Sequence, residues 1–286
     1  MNQKYLIKIK PITLFIFICL FISCANGQTD AEKFFYKAYE CKDLDCQLNF
    51  LNKSITANPK YAPAYYGRAY IYFIQNKYID KESDLETAIQ LAPDYKDIHI
   101  AYFKASKNYP NDKYVLNILG NLWAIIGSDD EALKNFNKPI EIDSKFPQAY
   151  FSRGVQYENQ SENEKALKDF AKAIESEPNF AMALFRHGAL LSIVFKDFEN
   201  GIPELNKAIE LNPDLTAAYN SRGVAYNLNG YYEKAILDLT NSIELAPNNP
   251  EIYKYRASIY KKIGKKDLAD KDEAKAKELE SNKSNQ

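Results

Sequence analysis

Residues 216–249 read TAAYNSRGVAYNLNGYYEKAILDLTNSIELAPNN. Two apolar patterns of helical period lie inside this stretch. The first runs Tyr219, Arg222, Gly223, Tyr226 and stops at Asn229-Gly230. The second runs Ala235, Leu239, Ser242, Ile243 and stops at Pro247. Spacings of three and four place each set on one helical face. A glycine after the first set supplies a left-handed residue at little steric cost, and a proline after the second has no N–H with which to continue a helix. The stretch predicts a helix hairpin.

The same unit recurs along the chain. Helix-ending prolines fall at Pro59, Pro93, Pro178, Pro213 and Pro247. Pro59 to Pro93 and Pro213 to Pro247 are 34 residues apart, Pro178 to Pro213 is 35, and Ser144 stands 34 residues before Pro178. A fixed period in this range marks a repeat array. With the proline numbered position 32 of each unit, position 8 is small in most copies (Ala69, Gly120, Gly154, Gly188, Gly223, Ala257). Position 20 is Ala132, Ala166, Ala235 and Ala269, and position 27 is Ala88, Ala173, Ala208 and Ala276. Small residues at these places let two helices approach closely. Large ones at positions 4, 11 and 24, such as Tyr150, Tyr157 and Phe170, fill the space around them.

This pattern resembles the tetratricopeptide repeat (TPR), over roughly residues 28–283 and in about seven copies. The resemblance implies an all-α, right-handed α-solenoid of helix hairpins whose first helices line a concave groove for peptides or proteins. The units are expected at 28–60, 62–93, 113–146, 147–180, 181–215, 216–249 and 250–286, the last ending in a charged capping helix. The period breaks between Pro93 and Pro110, where 94–112 holds only half a unit. Its Ile98, Tyr102 and Ala105 have the spacing of a second helix, so one extra, unpaired helix is expected there. In the fifth unit an extra residue is expected in the turn around Lys196-Asp197, with Pro203 in the first turn of the following helix. Pro139 falls inside a second helix, where it removes a hydrogen bond.

Residues 1–23 read differently. Lys4, Lys8 and Lys10 precede an apolar run from Ile12 to Ile22, which is shorter than the ~20 residues of a membrane span, and no acid occurs before Asp30. This is the pattern of a signal peptide. Phe21-Ile22-Ser23-Cys24 resembles a bacterial lipobox, with Cys24 as the lipid-attachment residue. Ordinary cleavage after Ala25-Asn26-Gly27 is the alternative. The expectation is an exported protein of a bacterial cell envelope, anchored in a membrane if Cys24 is acylated, and facing the periplasm or cell surface.

The charge balance excludes a nucleic-acid binder. The chain has 37 basic and 38 acidic side chains, and cleavage before Cys24 would remove three lysines and no acid. Cys41 and Cys46 lie on either side of the first hairpin's turn and are expected to form a disulfide in an oxidising compartment. No metal site or cofactor is expected, since His99 and His187 form no ligand cluster with these cysteines. Catalysis finds no support in a glycine-rich phosphate loop or a nucleophile elbow.

One charged pattern repeats with the units. Position 7 is Arg68, Arg153, Arg222 and Arg256, and position 23 of the same units is Asp84, Asp169, Asp238 and Asp272, always 16 residues on. The fifth unit has His187 and Glu204; the third has Leu119 and Asn135, so both charges vanish together. Such a pair reads as structural, joining the two helices of each hairpin. Binding is expected elsewhere. By the resemblance, positions 2, 5, 9 and 12 face the groove, and the partner contacts would fall on Tyr66, Tyr70, Asn117, Asn121, Phe151, Asn220 and Asn227. The expected role is a non-enzymatic adaptor for a protein or peptide partner. The alternatives are a receptor for a small ligand or glycan, and an accessory subunit of an envelope assembly or secretion complex.

Overall fold

The computed structural model describes residues 28–75 and 77–284, and among them it holds fifteen α-helices and no strand. Residues 1–23 and Cys24 lie outside the described residues. Among those described, no helix is long and apolar enough to cross a membrane. The chain divides between Ser144 and Lys145 into two compact units.

The first unit contains α1 (Asp30–Ala38), α2 (Leu44–Ala57), α3 (Ala62–Ile74), α4 (Tyr78–Leu91), α5 (Lys96–Asn108), α6 (Lys113–Ile125) and α7 (Asp129–Ile142). Helices α1/α2, α3/α4 and α6/α7 form hairpins. Local chemistry fixes their ends. Thr29 and Glu32 make a capping box at the start of α1, Asp43 caps α2 through the Cys46 amide, and Asp112 caps α6 through the amides of Tyr114 and Val115. Each cap satisfies amides that the first turn leaves without partners. Cys41 and Cys46 are joined across the α1–α2 turn, with Cα atoms 5.7 Å apart. Helix α7 runs through Pro139, which is buried.

Helix α5 is the extra helix expected within 94–112. It does not stand beside α4 as a second helix would. It packs against α3 and α6, the first helices of two hairpins, and reaches back to α1. Its Ile98, Tyr102 and Ala105 are fully buried. The Tyr102 ring meets Phe35, Tyr39 and Tyr66 edge-on, its hydroxyl lies 2.6 Å from that of Tyr39, and Tyr109 donates to Glu40 at 3.1 Å. The residue opening α5, Tyr95, sits in the left-handed region at φ 58°. This reversal turns the chain out of the hairpin stack and lays α5 along the first-helix side.

The second unit contains α8 (Pro147–Asn159), α9 (Asn163–Ser176), α10 (Ala181–Ala189), α11 (Phe198–Leu211), α12 (Thr216–Leu228), α13 (Tyr232–Leu245), α14 (Pro250–Lys262) and α15 (Lys266–Ser284). These form four consecutive hairpins, each second helix also packing on the next first helix. Tight helix approach explains the small residues: a Cβ on Gly154 would stand 2.7 Å from the Phe170 ring, and one on Gly188 would stand 2.7 Å from the carbonyl oxygen of Gly201. The turns share one left-handed residue, Ser161, Lys196, Gly230 or Gly264. Where it is not glycine, Cβ crowding costs roughly 1–2 kcal/mol.

The extra residue of the fifth unit is not in the turn. Helix α10 continues as a π-helix over Leu190–Val194, and the wider turn absorbs the residue inside the first helix. Pro203 is the sixth residue of α11, beyond its first turn.

Candidate functional site

The repeated charged residues form a lattice wider than one hairpin. Arg222 Nε and Nη2 donate to both oxygens of Asp238 at 2.8 and 2.7 Å, and its Nη1 donates to Asn206 Oδ1 at 2.8 Å. Asn206 lies on α11, the second helix of the preceding hairpin. Arg256 holds Asp272 and Thr240 of α13 in the same way, and Arg68 holds Asp84 and Asn52 of α2. Arg153 grips Asp169 at 2.7 and 2.8 Å. In the fifth unit His187 Nδ1 lies 2.6 Å from Glu204. Every one of these arginines sits between two tyrosine rings of its own helix, for example Tyr219 and Tyr226 at 5.7 and 6.0 Å from Arg222. For Arg68, Arg222 and Arg256, the carboxylate, the amide or hydroxyl oxygen and the aromatic faces together use most of the guanidinium's binding capacity. The arrangement fixes second helix to first helix to second helix, and leaves little for a partner. The link to the preceding hairpin was missed in the sequence, although Asn52, Asn206 and Thr240 all stand 16 residues before their arginine.

The expected groove residues divide by burial. Asn117 is wholly buried, and its Nδ2 donates to the hydroxyl of Tyr70 at 2.8 Å. Tyr66, Tyr70 and Phe151 keep less than a tenth of their surface: Tyr66 packs on Tyr95 and Tyr102, and Phe151 packs on Phe170 and Phe180. These four are core residues, which corrects their placement as an open partner surface. In the first unit the reason is α5, which covers the part of the face where Tyr66 would have been free. Burial holds the phenols of Tyr66 and Tyr70 above their ordinary range. Asn121, Asn220 and Asn227 are half-buried.

In the second unit the first helices carry a polar face. Asn227 Nδ2 on α12 donates to Tyr255 Oη on α14 at 2.8 Å, and Arg186 Nη1 on α10 donates to Glu158 Oε2 on α8 at 3.1 Å. Both links run 28 residues, from position 12 of one unit to position 6 of the next. Asn220 and Asn227 share one face of α12, seven residues apart, and the Oδ1 of each is without a hydrogen-bond partner. A buried polar atom of this kind normally has one.

The sequence marks His99 only as one of two isolated histidines. It lies on α5, buried, with its ring 4.3 Å from Trp123 and stacked on Phe103 at 6.3 Å, and its Nε2 is unpartnered. Burial lowers its pKa to about 4, below the unfolded value near 6.5. The folded state therefore resists protonation. Stability is fully present above pH 6.5 and falls as pH drops from 6.5 toward 4, by on the order of 1 kcal/mol per pH unit. His99→Phe should remove that slope in denaturant melts at pH 5–6.5. A slope equal to that of the parent would show that His99 is not its source.

Comparison with known proteins bears on the repeat and the fold. The tetratricopeptide repeat model matches residues 62–95, 147–180 and 216–249. No curated protein sequence matches the chain. Among solved structures, MamA from Desulfovibrio magneticus RS-1 is 22% identical with a TM-score of 0.55, covering 59% of this chain and 96% of its own. YrrB, described as a TPR protein with an unusual peptide-binding site, is 22% identical with a TM-score of 0.53, covering 63% of this chain and 92% of its own. The APC/C hetero-tetramer Cut9-Hcn1 is 15% identical with a TM-score of 0.64, covering 88% of this chain and 52% of its own. The chain thus carries tetratricopeptide repeats, and its fold is a TPR-like all-α solenoid of helix hairpins.

Proposed function

We propose that the protein is a non-enzymatic scaffold that holds an extended protein or peptide segment against the first-helix face of its second unit, in a bacterial cell envelope. The observation that carries the reading is the pair of unpartnered amide oxygens on Asn220 and Asn227, one face of one helix. A rotation of either amide about its terminal bond presents a donor and an acceptor to a peptide backbone. Tyr255 of α14, bonded to Asn227, adds aromatic contact area beside them. The peptide-binding site of YrrB, a protein of similar fold, supports the class of ligand. The envelope location rests on residues 1–23 and on Cys24 as a lipid-attachment residue.

One experiment tests both parts. Envelopes and soluble fractions are prepared from cells making the parent, Cys24→Ser, or Asn220→Ala with Asn227→Ala, and are then crosslinked and pulled down. The parent is expected in the membrane fraction with a discrete crosslinked protein. Cys24→Ser should move to the soluble fraction. The asparagine variant should keep the parent's helix content, melt slightly lower for loss of the Asn227–Tyr255 hydrogen bond, and lose the crosslink. Capture of the same protein by the asparagine variant would reject this face, and parent recovered from the soluble fraction would reject the anchor.

A further inference from the structure

The inserted helix creates a cleft that a plain array of hairpins would lack. Where α5 crosses α1 and the start of α3, a cleft of about 200 Å³ remains. This is on the order of six or seven waters' share of liquid, the size of one large side chain. Its apolar lining includes Pro63, Leu91 and Ile100. Tyr36 and Glu32 of α1, Tyr61 before α3 and Asp97 of α5 are in its lining. The carboxylates lie close to the phenols. Tyr36 is pushed up to about 12, first by burial and then by Glu32, and Tyr61 is pushed up further, by burial and then by Tyr36, Glu32, Tyr102 and Asp97. Glu32 spends one oxygen on the Thr29 amide, at 3.0 Å, and Asp97 is exposed in the first turn of α5. Lys60 and Lys104 also line the cleft.

Two aromatic rings beside two carboxylates form an environment that attracts a cation, through the ring faces and through charge. An apolar lining accepts the methylene stem that carries such a cation. Lys60 and Lys104, also in the lining, offer donors to a negative group on the same ligand. We propose that the cleft between α1, α3 and α5 binds a basic group of amino-acid size, an amine or guanidinium on an aliphatic stem, either as a free basic amino acid or as a side chain of a partner. The site lies in the first unit and is independent of the peptide face proposed for the second. Helix α5 is its essential wall, because it supplies Asp97, Ile100 and Lys104.

The test is calorimetric titration of the full chain with L-arginine and with L-citrulline, its uncharged isostere. Arginine should bind saturably, and citrulline should bind at least about tenfold more weakly, as expected for loss of a charge-assisted contact. Asp97→Asn should weaken arginine by a similar factor, and Ile100→Trp, which fills the cleft, should abolish binding. Circular dichroism would verify that both variants keep the parent's helix content. Agmatine, which lacks the carboxylate, and the peptide acetyl-Gly-Arg-Gly-amide separate the sources. Binding of the peptide as tight as that of arginine assigns the cleft to a partner's side chain. Arginine binding better than both assigns it to a free amino acid held also by the lysines. Equal heats for arginine and citrulline, arginine binding unchanged in folded Asp97→Asn, or no saturable binding of any of the four would overturn the proposal.

Discussion

Tyr102→Ala is expected to destabilise the first unit by about 3–5 kcal/mol, the cost of removing a large, fully buried aromatic side chain. Tyr102 is the centre of the contacts that hold α5. Its ring touches Phe35 and Tyr39 near α1 and Tyr66 on α3, and its hydroxyl shares a buried hydrogen bond with Tyr39. Alanine would leave a cavity under α5 and would also strand the Tyr39 hydroxyl. Tyr102→Phe separates the two effects: it keeps the ring and loses the hydrogen bond, and should cost about 1–3 kcal/mol for the unsatisfied group. Urea melts followed by circular dichroism give the two differences, and hydrogen exchange along residues 96–108 locates them. If Tyr102→Ala stays within about 1 kcal/mol of the parent, the order of magnitude of a single exposed change, α5 is not docked as described.

A repeat period encodes some features of this fold and not others. The hairpins were legible because the same packing problem is solved repeatedly. Residues such as Ala235 and Gly223 are small where two helices touch, and a proline closes most units, so spacing alone exposes them. The Arg–Asp offset of 16 residues was legible for the same reason, and the tyrosines that bracket each arginine change with it. In the third unit, where Leu119 replaces arginine, positions 4 and 11 are Leu116 and Trp123. Helix α5 was legible as a helix and illegible in its place. Its register of Ile98, Tyr102 and Ala105 says which face is buried, but not against what, and the left-handed Tyr95 that redirects the chain has no signature in residue type. The error on Tyr66 and Tyr70 follows from that one, since a face that is open in a regular array is covered here. The π-helix at Leu190–Val194 escaped for another reason. One extra residue fits equally well in a turn or in a widened helical turn, and the spacing of prolines is the same in both cases.

Asp238→Ala is expected to cost about 3–5 kcal/mol, the range for leaving one member of a largely buried ion pair without its partner. The Asp238 side chain is 3% exposed and that of Arg222 is 17% exposed, so neither water nor salt readily replaces the lost partner. Arg222→Ala removes the link to Asn206 as well as the pair, and strands the Asp238 carboxylate. The double variant leaves neither charge uncompensated. It should therefore be less destabilised than the sum of the two single changes, by a coupling of at least about 1 kcal/mol. Arg222→Lys is informative in a different way. A lysine keeps the charge, but one ammonium cannot grip two carboxylate oxygens and an amide oxygen in the guanidinium's planar geometry. It should recover only a small part of the loss. The free energies come from urea melts at neutral pH, with the asparagine-dependent crosslink measured on each variant that remains folded. A purely structural lattice predicts strong coupling in stability and an unchanged crosslink. Strict additivity would show that Arg222 and Asp238 act separately. A crosslink lost in folded Arg222→Ala would place the arginine in the partner's contact surface, and would require the binding face to extend from Asn220 and Asn227 around α12 to the side on which Arg222 lies.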